Sequence, residues 1–301
     1  MNIIQKTVKW YKRPKSKTAD FFESLIVFIP IAFFIRTIGF GLYKVPTCSM
    51  ETTILAGEGL FADKLTPLFK EFKHGDVISF NSPLYNYSKN PALNWWQMYV
   101  WGPENWTKRI IGLPGDHIQG KIENGKPIVY RNGQKLDEPY LNKYPIVLTV
   151  NPNRTWPSPF VHKTYDPHAP LNQQPFYRIN KDELALGKMI ENKTGEPFLR
   201  YPGTPNSDKG LSNERKDAQV FDEYDIRLGP DEYWLMGDNR QGSTDSRAWG
   251  HLKRKFIHGK VLFRIWSHDD EDASWMILDL LKHPIDFWKR FRWNRCLNLI
   301  K

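Results

Sequence analysis

Ser49 stands in Pro46-Thr47-Cys48-Ser49-Met50-Glu51, directly after an apolar stretch, and Lys108 follows 59 positions later in Trp106-Thr107-Lys108-Arg109-Ile110-Ile111. A serine hydroxyl is a weak nucleophile at its own pKa and needs a base within hydrogen-bond reach. A lysine supplies that base when desolvation disfavours its charged form, and Ser-Lys pairs are a variant of triad logic. Strand alternation sends Lys108 and Arg109 to opposite faces. With Arg109 towards water, Lys108 faces inward beside Trp106 and Ile110. Taken alone, a strand lysine is more often an exposed one. A third segment, Gly237-Asp238-Asn239-Arg240-Gln241-Gly242-Ser243-Thr244-Asp245-Ser246-Arg247, has the composition of a polar turn. Within it Asp245 and Arg247 can form a charge-assisted pair, and Ser243 can hydrogen-bond a lysine. Composition does not choose between those roles.

These residues need elements to hold them. The apolar stretch Phe21 to Val45 is long enough to cross a hydrocarbon core of ~30 Å, with Pro30 and Gly39 interrupting it and Glu23, Arg36 and Lys44 near its ends. A cleaved signal peptide would show an A-x-A-like site after a short apolar core, and Pro46 opens a different kind of segment instead. Lys6, Lys9, Lys12, Arg13, Lys15 and Lys17 precede the stretch, which places the N-terminus in the cytoplasm and the remainder outside. Ser49 lies four residues past Val45, so a fully extended linker, at roughly 3.3–3.6 Å per residue, keeps it within ~15 Å of the membrane face.

The chain has 301 residues and a formal net charge of +10. After the anchor roughly 255 residues remain, enough for a sizeable core. The basic residues gather at the two ends, which favours an anionic membrane surface over nucleic acid as the partner. Cys48 and Cys296 are the only cysteines and provide no disulfide framework. Short apolar runs with turn punctuation predict a mainly β protein, with hairpins at Asn124-Gly125 and Asn132-Gly133. The chain divides into a basic N-terminus (1–20), a transmembrane anchor (21–45), a catalytic β domain (46–138 and 226–270), an inserted loop-rich β subdomain (139–225) and an aromatic, basic C-terminal segment (271–301). Pro284 splits that last segment into two pieces. Its tryptophans, phenylalanines and arginines suit a membrane surface, and packing on the domain explains its apolar residues equally well.

Taken together, Thr47-Cys48-Ser49-Met50, Lys108-Arg109 with Gly112-Leu113-Pro114-Gly115-Asp116, and Gly237-Asp238-Asn239-Arg240 with Ser243-Thr244-Asp245-Ser246-Arg247 closely resemble type I bacterial signal peptidases. The resemblance runs from the anchor to about Trp266. It implies a signal-peptidase/LexA-like β fold behind one membrane helix, and a serine endopeptidase that removes signal peptides from exported precursors after a small-x-small site. By that likeness Ser49 is the nucleophile and Lys108 its general base, oriented by Ser243. Thr47 and the Ser49 N–H form an oxyanion hole, and Asp245 and Arg247 support the site. Met50, Val77, Ile78 and Phe80 are candidates for two shallow substrate pockets. The partners are precursor proteins and the lipid bilayer, with no cofactor, metal or nucleic acid. The location is the cytoplasmic membrane, single-pass, with the catalytic domain on the extracytoplasmic side. This sequence departs from the family pattern Ser-Met-x-Pro-Thr-Leu by carrying Thr52 where proline is usual. The family's common second span is also unmatched.

Two other readings compete: a peptidase of the same superfamily dedicated to one precursor, and a noncatalytic protein that uses its basic ends on membranes or nucleic acid. Local mimics carry less. Gly115-Asp116-His117-Ile118-Gln119-Gly120-Lys121 begins like a phosphate loop, yet Ile122 replaces the required hydroxyl and Asn124-Gly125 turns the chain where a helix should start. Cys48 has no histidine beside it to activate a thiol, so it reads as a spacer. The histidines show no metal-binding spacing.

Overall fold

The computed structural model describes residues 16–150, 160–170, 173–174, 199–200, 222–269 and 276–301. The chain enters through helix α1, Lys17–Phe34, which runs into a π-helical turn, Ile35–Gly39. Its apolar window Asp20–Gly39 has a mean hydropathy of 2.0 and none of it is buried against the rest of the chain. By length and composition this helix can cross a membrane, since 20 residues rise about 30 Å. The assigned anchor 21–45 is too long at its outer end. Phe40–Lys44 is strand β1, whose backbone pairs antiparallel with β2, Glu58–Asp63, from Phe40 opposite Asp63 to Lys44 opposite Gly59. Ten residues therefore separate Gly39 from Ser49, and the extended-chain limit rises to about 35 Å.

Strand β3, Val77–Asn81, is followed by the short helix α2, Pro91–Tyr99, which starts where Asn90 accepts from the N–H groups of Ala92 and Leu93. Strand β4, Asn105–Gly112, carries Lys108 and pairs with β3, placing Ile78 opposite Lys108 and Val77 opposite Arg109. Strands β5 (His117–Glu123), β6 (Lys126–Arg131) and β7 (Gln134–Lys135) form the two expected hairpins. Their turns hold Asn124 and Gly125 at φ 52° and 75°, and Asn132 and Gly133 at 52° and 78°, the left-handed pair a two-residue hairpin turn demands.

Most of the insertion 139–225 lies outside the described residues. Its described strands β8 (Ile146–Val150), β9 (Phe160–Thr164) and β10 (Leu199–Arg200) form a small antiparallel sheet. Strand β11, Tyr224–Arg227, straddles the proposed boundary and pairs with β5, so it belongs with the hairpins. Strand β12 (Glu232–Met236), helix α3 (Ser246–Trp249), strand β13 (Leu252–Lys253) and the long strand β14 (Ile257–Ser267) complete the main sheet. Its strand order is β1-β2-β14-β3-β4-β12-β13. Helices α4 (Met276–Lys282) and α5 (Pro284–Lys289) divide at Pro284 as the sequence predicts.

Because β4 is central, between β3 and β12, both of its faces are covered, and successive residues serve different cores. Ile110 packs with Ile78, Phe80 and Leu235, whereas Ile111 packs with Ile118 and Trp234. A third cluster joins Val45, Met50, Ile54 and Leu60 beneath the segment that carries Ser49. The nucleophile candidate is thus fixed by apolar packing on one side and the base candidate by the sheet itself.

Candidate active site

Lys108 is buried, as its place between two sheet neighbours requires, and its Nζ donates to Ser49 Oγ at 2.8 Å and to the Thr107 carbonyl at 3.1 Å. It shares its face with Trp106 and Ile110. Burial lowers its pKa to about 8, with Asp245, Cys48 and Asp238 opposing the shift and Arg247 adding to it. At that value a substantial share of the amine is neutral near physiological pH, and a neutral amine accepts the proton of the adjacent hydroxyl. Ser49 is itself buried, with 8% of its surface exposed.

Thr47, exposed beside it, has Oγ1 3.4 Å from Ser49 Oγ. The Ser49 backbone N–H donates to no described group. The Ser49 carbonyl, in contrast, accepts from the Asn239 N–H at 3.1 Å, and the Cys48 carbonyl accepts from Asn239 Nδ2 at the same distance. The segment after β12 therefore grips the backbone carbonyls of Cys48 and Ser49. Cys48 is buried with Sγ 3.9 Å from the Gly242 carbonyl, directed at that segment, as befits a spacer.

Asp245 and Arg247 form the expected pair, with Nε to Oδ1 at 2.8 Å and Nη2 to Oδ2 at 2.9 Å. Arg247 also donates to Asp222 at 2.7 Å and to the Arg240 carbonyl at 2.7 Å, while Asp245 accepts from the Gly237 N–H at 3.0 Å. Burial works against the Asp245 charge, but Arg247, the Gly237 N–H and Lys108 together hold its carboxyl below the usual range. Arg247 stays charged, its burial outweighed by Asp245 and Asp222. Ser243 lies against the same wall, since a Cβ added at Gly237 would fall 2.3 Å from Ser243 Oγ and 2.4 Å from the Ser49 carbonyl oxygen. Its hydroxyl is buried with no hydrogen-bond partner among the described residues, so the expected bond to Lys108 is not formed. Gly237 is required there because any side chain would displace one of those two groups.

The arrangement corrects two further expectations. Arg109 does not face water: it is buried against the ring of Tyr140 and forms a two-point pair with Asp238, Nε to Oδ1 at 2.8 Å and Nη2 to Oδ2 at 2.6 Å. Breaking a pair buried on this scale costs about 3–5 kcal/mol, so it fixes the start of the Asp238–Arg247 segment relative to β4. Met50, Val77, Ile78 and Phe80 fill cores and are each no more than 3% exposed. All five residues of β3 are buried because the strand is flanked in the sheet and covered on both faces, so the side chains of Val77, Ile78 and Phe80 are taken up by core packing.

Sequence reasoning missed the hub at Glu58. This carboxylate is fully buried and takes Arg264 Nε at 2.9 Å, Arg295 Nε at 2.6 Å, Ser267 Oγ at 2.8 Å and the Leu55 N–H at 3.0 Å. The signal was present, since period-two alternation along Glu58, Leu60 and Ala62 puts an acid on an apolar face. It also missed Glu51, fully buried two residues after Ser49, where it accepts from Thr164 of β9. Asn142 links that threonine to the Asp238 carbonyl, tying the inserted sheet to the site.

The profile of the family described as signal peptidase, peptidase S26, matches residues 18–266. Signal peptidase I of Bacillus licheniformis is 31% identical over 83% of this chain and 89% of its own length. Signal peptidase I P of Bacillus subtilis subsp. natto is 30% identical over 82% and 89% respectively. Signal peptidase I of Buchnera aphidicola subsp. Baizongia pistaciae is 24% identical over 88% and 81%. With its family profile spanning the helix, the Ser49 and Lys108 segments and the Asp245–Arg247 pair, this chain belongs to the signal peptidase family, peptidase S26.

Proposed function

We propose that Ser49 and Lys108 perform in this chain the work of its family, cleavage of signal peptides from precursor proteins by a serine peptidase. The 2.8 Å contact between Oγ and a buried, pKa-lowered Nζ is the observation that supports the reading most. Neutral Lys108 takes the Oγ proton as Oγ bonds to the scissile carbonyl carbon. The oxyanion then meets the Thr47 hydroxyl and the Ser49 N–H. Lys108 gives its proton to the departing amine as the C–N bond breaks, leaving an ester on Ser49. Water attacks that ester with Lys108 again as base, and the released Oγ regains its proton.

Asp245 and Arg247 act at one remove, holding the backbone at Gly237 against the Ser49 carbonyl. The apolar helix α1 anchors the enzyme, with the basic N-terminal residues on the cytoplasmic side and the catalytic domain on the far side, where cleavage sites emerge.

A broad processing role separates from a dedicated one by substrate range. Purified enzyme incubated with several unrelated exported precursors is expected to cleave each after a small-x-small site, read by mass spectrometry of the new N-termini. Cleavage of one precursor alone would establish the dedicated peptidase instead.

A further inference from the structure

No described residue of the C-terminal segment beyond β14 hydrogen-bonds Ser49 or Lys108, yet two of its arginines reach the loop that follows Ser49. Arg295 bonds Glu58 through Nε, and its Nη2 donates to the Thr53 carbonyl at 3.0 Å and the Thr52 carbonyl at 3.3 Å. Arg264 joins at the same point, its Nη2 donating to the Thr53 carbonyl at 2.6 Å. Arg292 donates to the Ala56 carbonyl at 3.1 Å. The segment is fastened elsewhere too. The Arg264 N–H donates to the Asn298 carbonyl at 3.0 Å, the Ile300 N–H to the Leu262 carbonyl at 2.9 Å, and the Phe287 ring is buried against His268. One face of this stretch is therefore packed on the domain, while Leu281, Ile285 and Leu297 remain exposed.

We propose that Arg295, carried by the C-terminal segment and seated on Glu58, is a positioning residue that holds the loop Met50–Gly57 and through it the Oγ of Ser49 at its distance from Lys108. This rests on the reading of Ser49 as the nucleophile. The loop follows Ser49 without a break and has two anchors: Met50, Ile54 and Leu55 in the core, and the carbonyls of Thr52 and Thr53 on guanidinium groups. Thr52 lacks the ring that locks φ in a proline. Hydrogen bonds from outside the loop supply the restraint that the ring does not. Arg295 suits the task because one planar fork satisfies a carboxylate and two carbonyls together, which a lysine's single nitrogen cannot.

The chemistry depends on that restraint because a displacement of about 1 Å at a reacting atom costs on the order of 10²-fold in rate. Arg295 hydrogen-bonds Glu58 and the Thr52 and Thr53 carbonyls and not Thr47, Ser49 or Lys108, so its loss should appear in kcat and not in KM. Removal of Arg295 also leaves Glu58 paired with Arg264, Ser267 and the Leu55 N–H, so the fold survives.

The test uses the full chain with a fluorogenic precursor peptide. Arg295→Ala is expected to lower kcat about 10-fold with KM within twofold, and Arg295→Lys to fall between it and the parent. Thr52→Pro in the Arg295→Ala background is expected to recover most of the loss, and to change little by itself. The Thr52 N–H donates to no described group, so proline forfeits no hydrogen bond there. Unchanged kcat in Arg295→Ala overturns the proposal, as does a loss that Thr52→Pro leaves uncorrected while the melting temperature drops, which would mark Arg295 as a stability residue. Ser49→Ala in the same assay separates the two levels of the account, because residual parental activity there removes the nucleophile reading whatever Arg295 does.

Discussion

Ser49→Ala and Lys108→Ala each lose at least about 10⁴-fold in kcat/KM for precursor cleavage, while the far-UV circular dichroism and membrane attachment stay those of the parent. The size follows from the roles. In the proposed mechanism Ser49 forms the covalent ester, so without its Oγ the two-step route is closed, and what remains is binding and oxyanion stabilisation of a slow attack by water. Among the described residues Lys108 is the basic group within hydrogen-bond reach of the Ser49 Oγ, at 2.8 Å. Lys108→Arg is the sharper variant. It retains the charge and much of the volume, but a guanidinium does not lose its proton at working pH, so a general base is abolished while a purely electrostatic role would survive. Near-parental cleavage by Lys108→Arg would show that the positive charge, and not proton transfer, is what the site needs.

The pH dependence of kcat/KM carries the second large effect. Burial lowers the Lys108 pKa from its ordinary value to about 8. Only the neutral amine accepts the hydroxyl proton, so kcat/KM rises with pH through that value and levels off above it. On the acid side it falls about tenfold per pH unit, so the rate at pH 6 is roughly a hundredth of the plateau. Asp245, close by, is held below the usual carboxylate range and stays ionised throughout this window, so it adds no second limb there. Steady-state kinetics on one precursor peptide between pH 5 and pH 10 would show the limb. A flat profile across that range would remove Lys108 from the proton-transfer step.

How much of this was legible in the sequence depends on whether the signal was local. The hairpins were, because Asn-Gly at 124–125 and 132–133 encodes the backbone conformation at the two residues themselves. The pairing of Asp245 with Arg247 was also local, since two residues of separation let one short helix bring them together. The inward face of Lys108 followed from period-two alternation, but the fate of Arg109 did not. Alternation gives the face and not what covers it, and here Asp238 and Tyr140 arrive from 129 and 31 positions away to bury the outward side as well. The same gap misplaced Met50, Val77, Ile78 and Phe80, whose burial depends on β3 lying inside a sheet of non-consecutive strands.

The outer end of the anchor was misread for a related reason. Phe40-Gly41-Leu42-Tyr43 is apolar enough to continue a span, and only pairing with β2 reveals it as strand. Long-range electrostatics were least legible of all: Glu58 meets Arg264 and Arg295, 206 and 237 positions further on, and no periodicity reports such a meeting. The site's own geometry was recoverable in advance only because three short segments together carry the resemblance to a family in which their roles are joined.

The claim on which the rest depends is that Lys108 is a neutral base because the fold buries it. It is tested most directly by titrating its Nζ by NMR in enzyme selectively ¹⁵N-labelled at lysine, with Lys108→Ala used to assign the signal. The account predicts a midpoint near 8, well below the ~10.4 of an unperturbed lysine. A midpoint at the unperturbed value would contradict it, leaving Ser49 beside a cation with no proton acceptor.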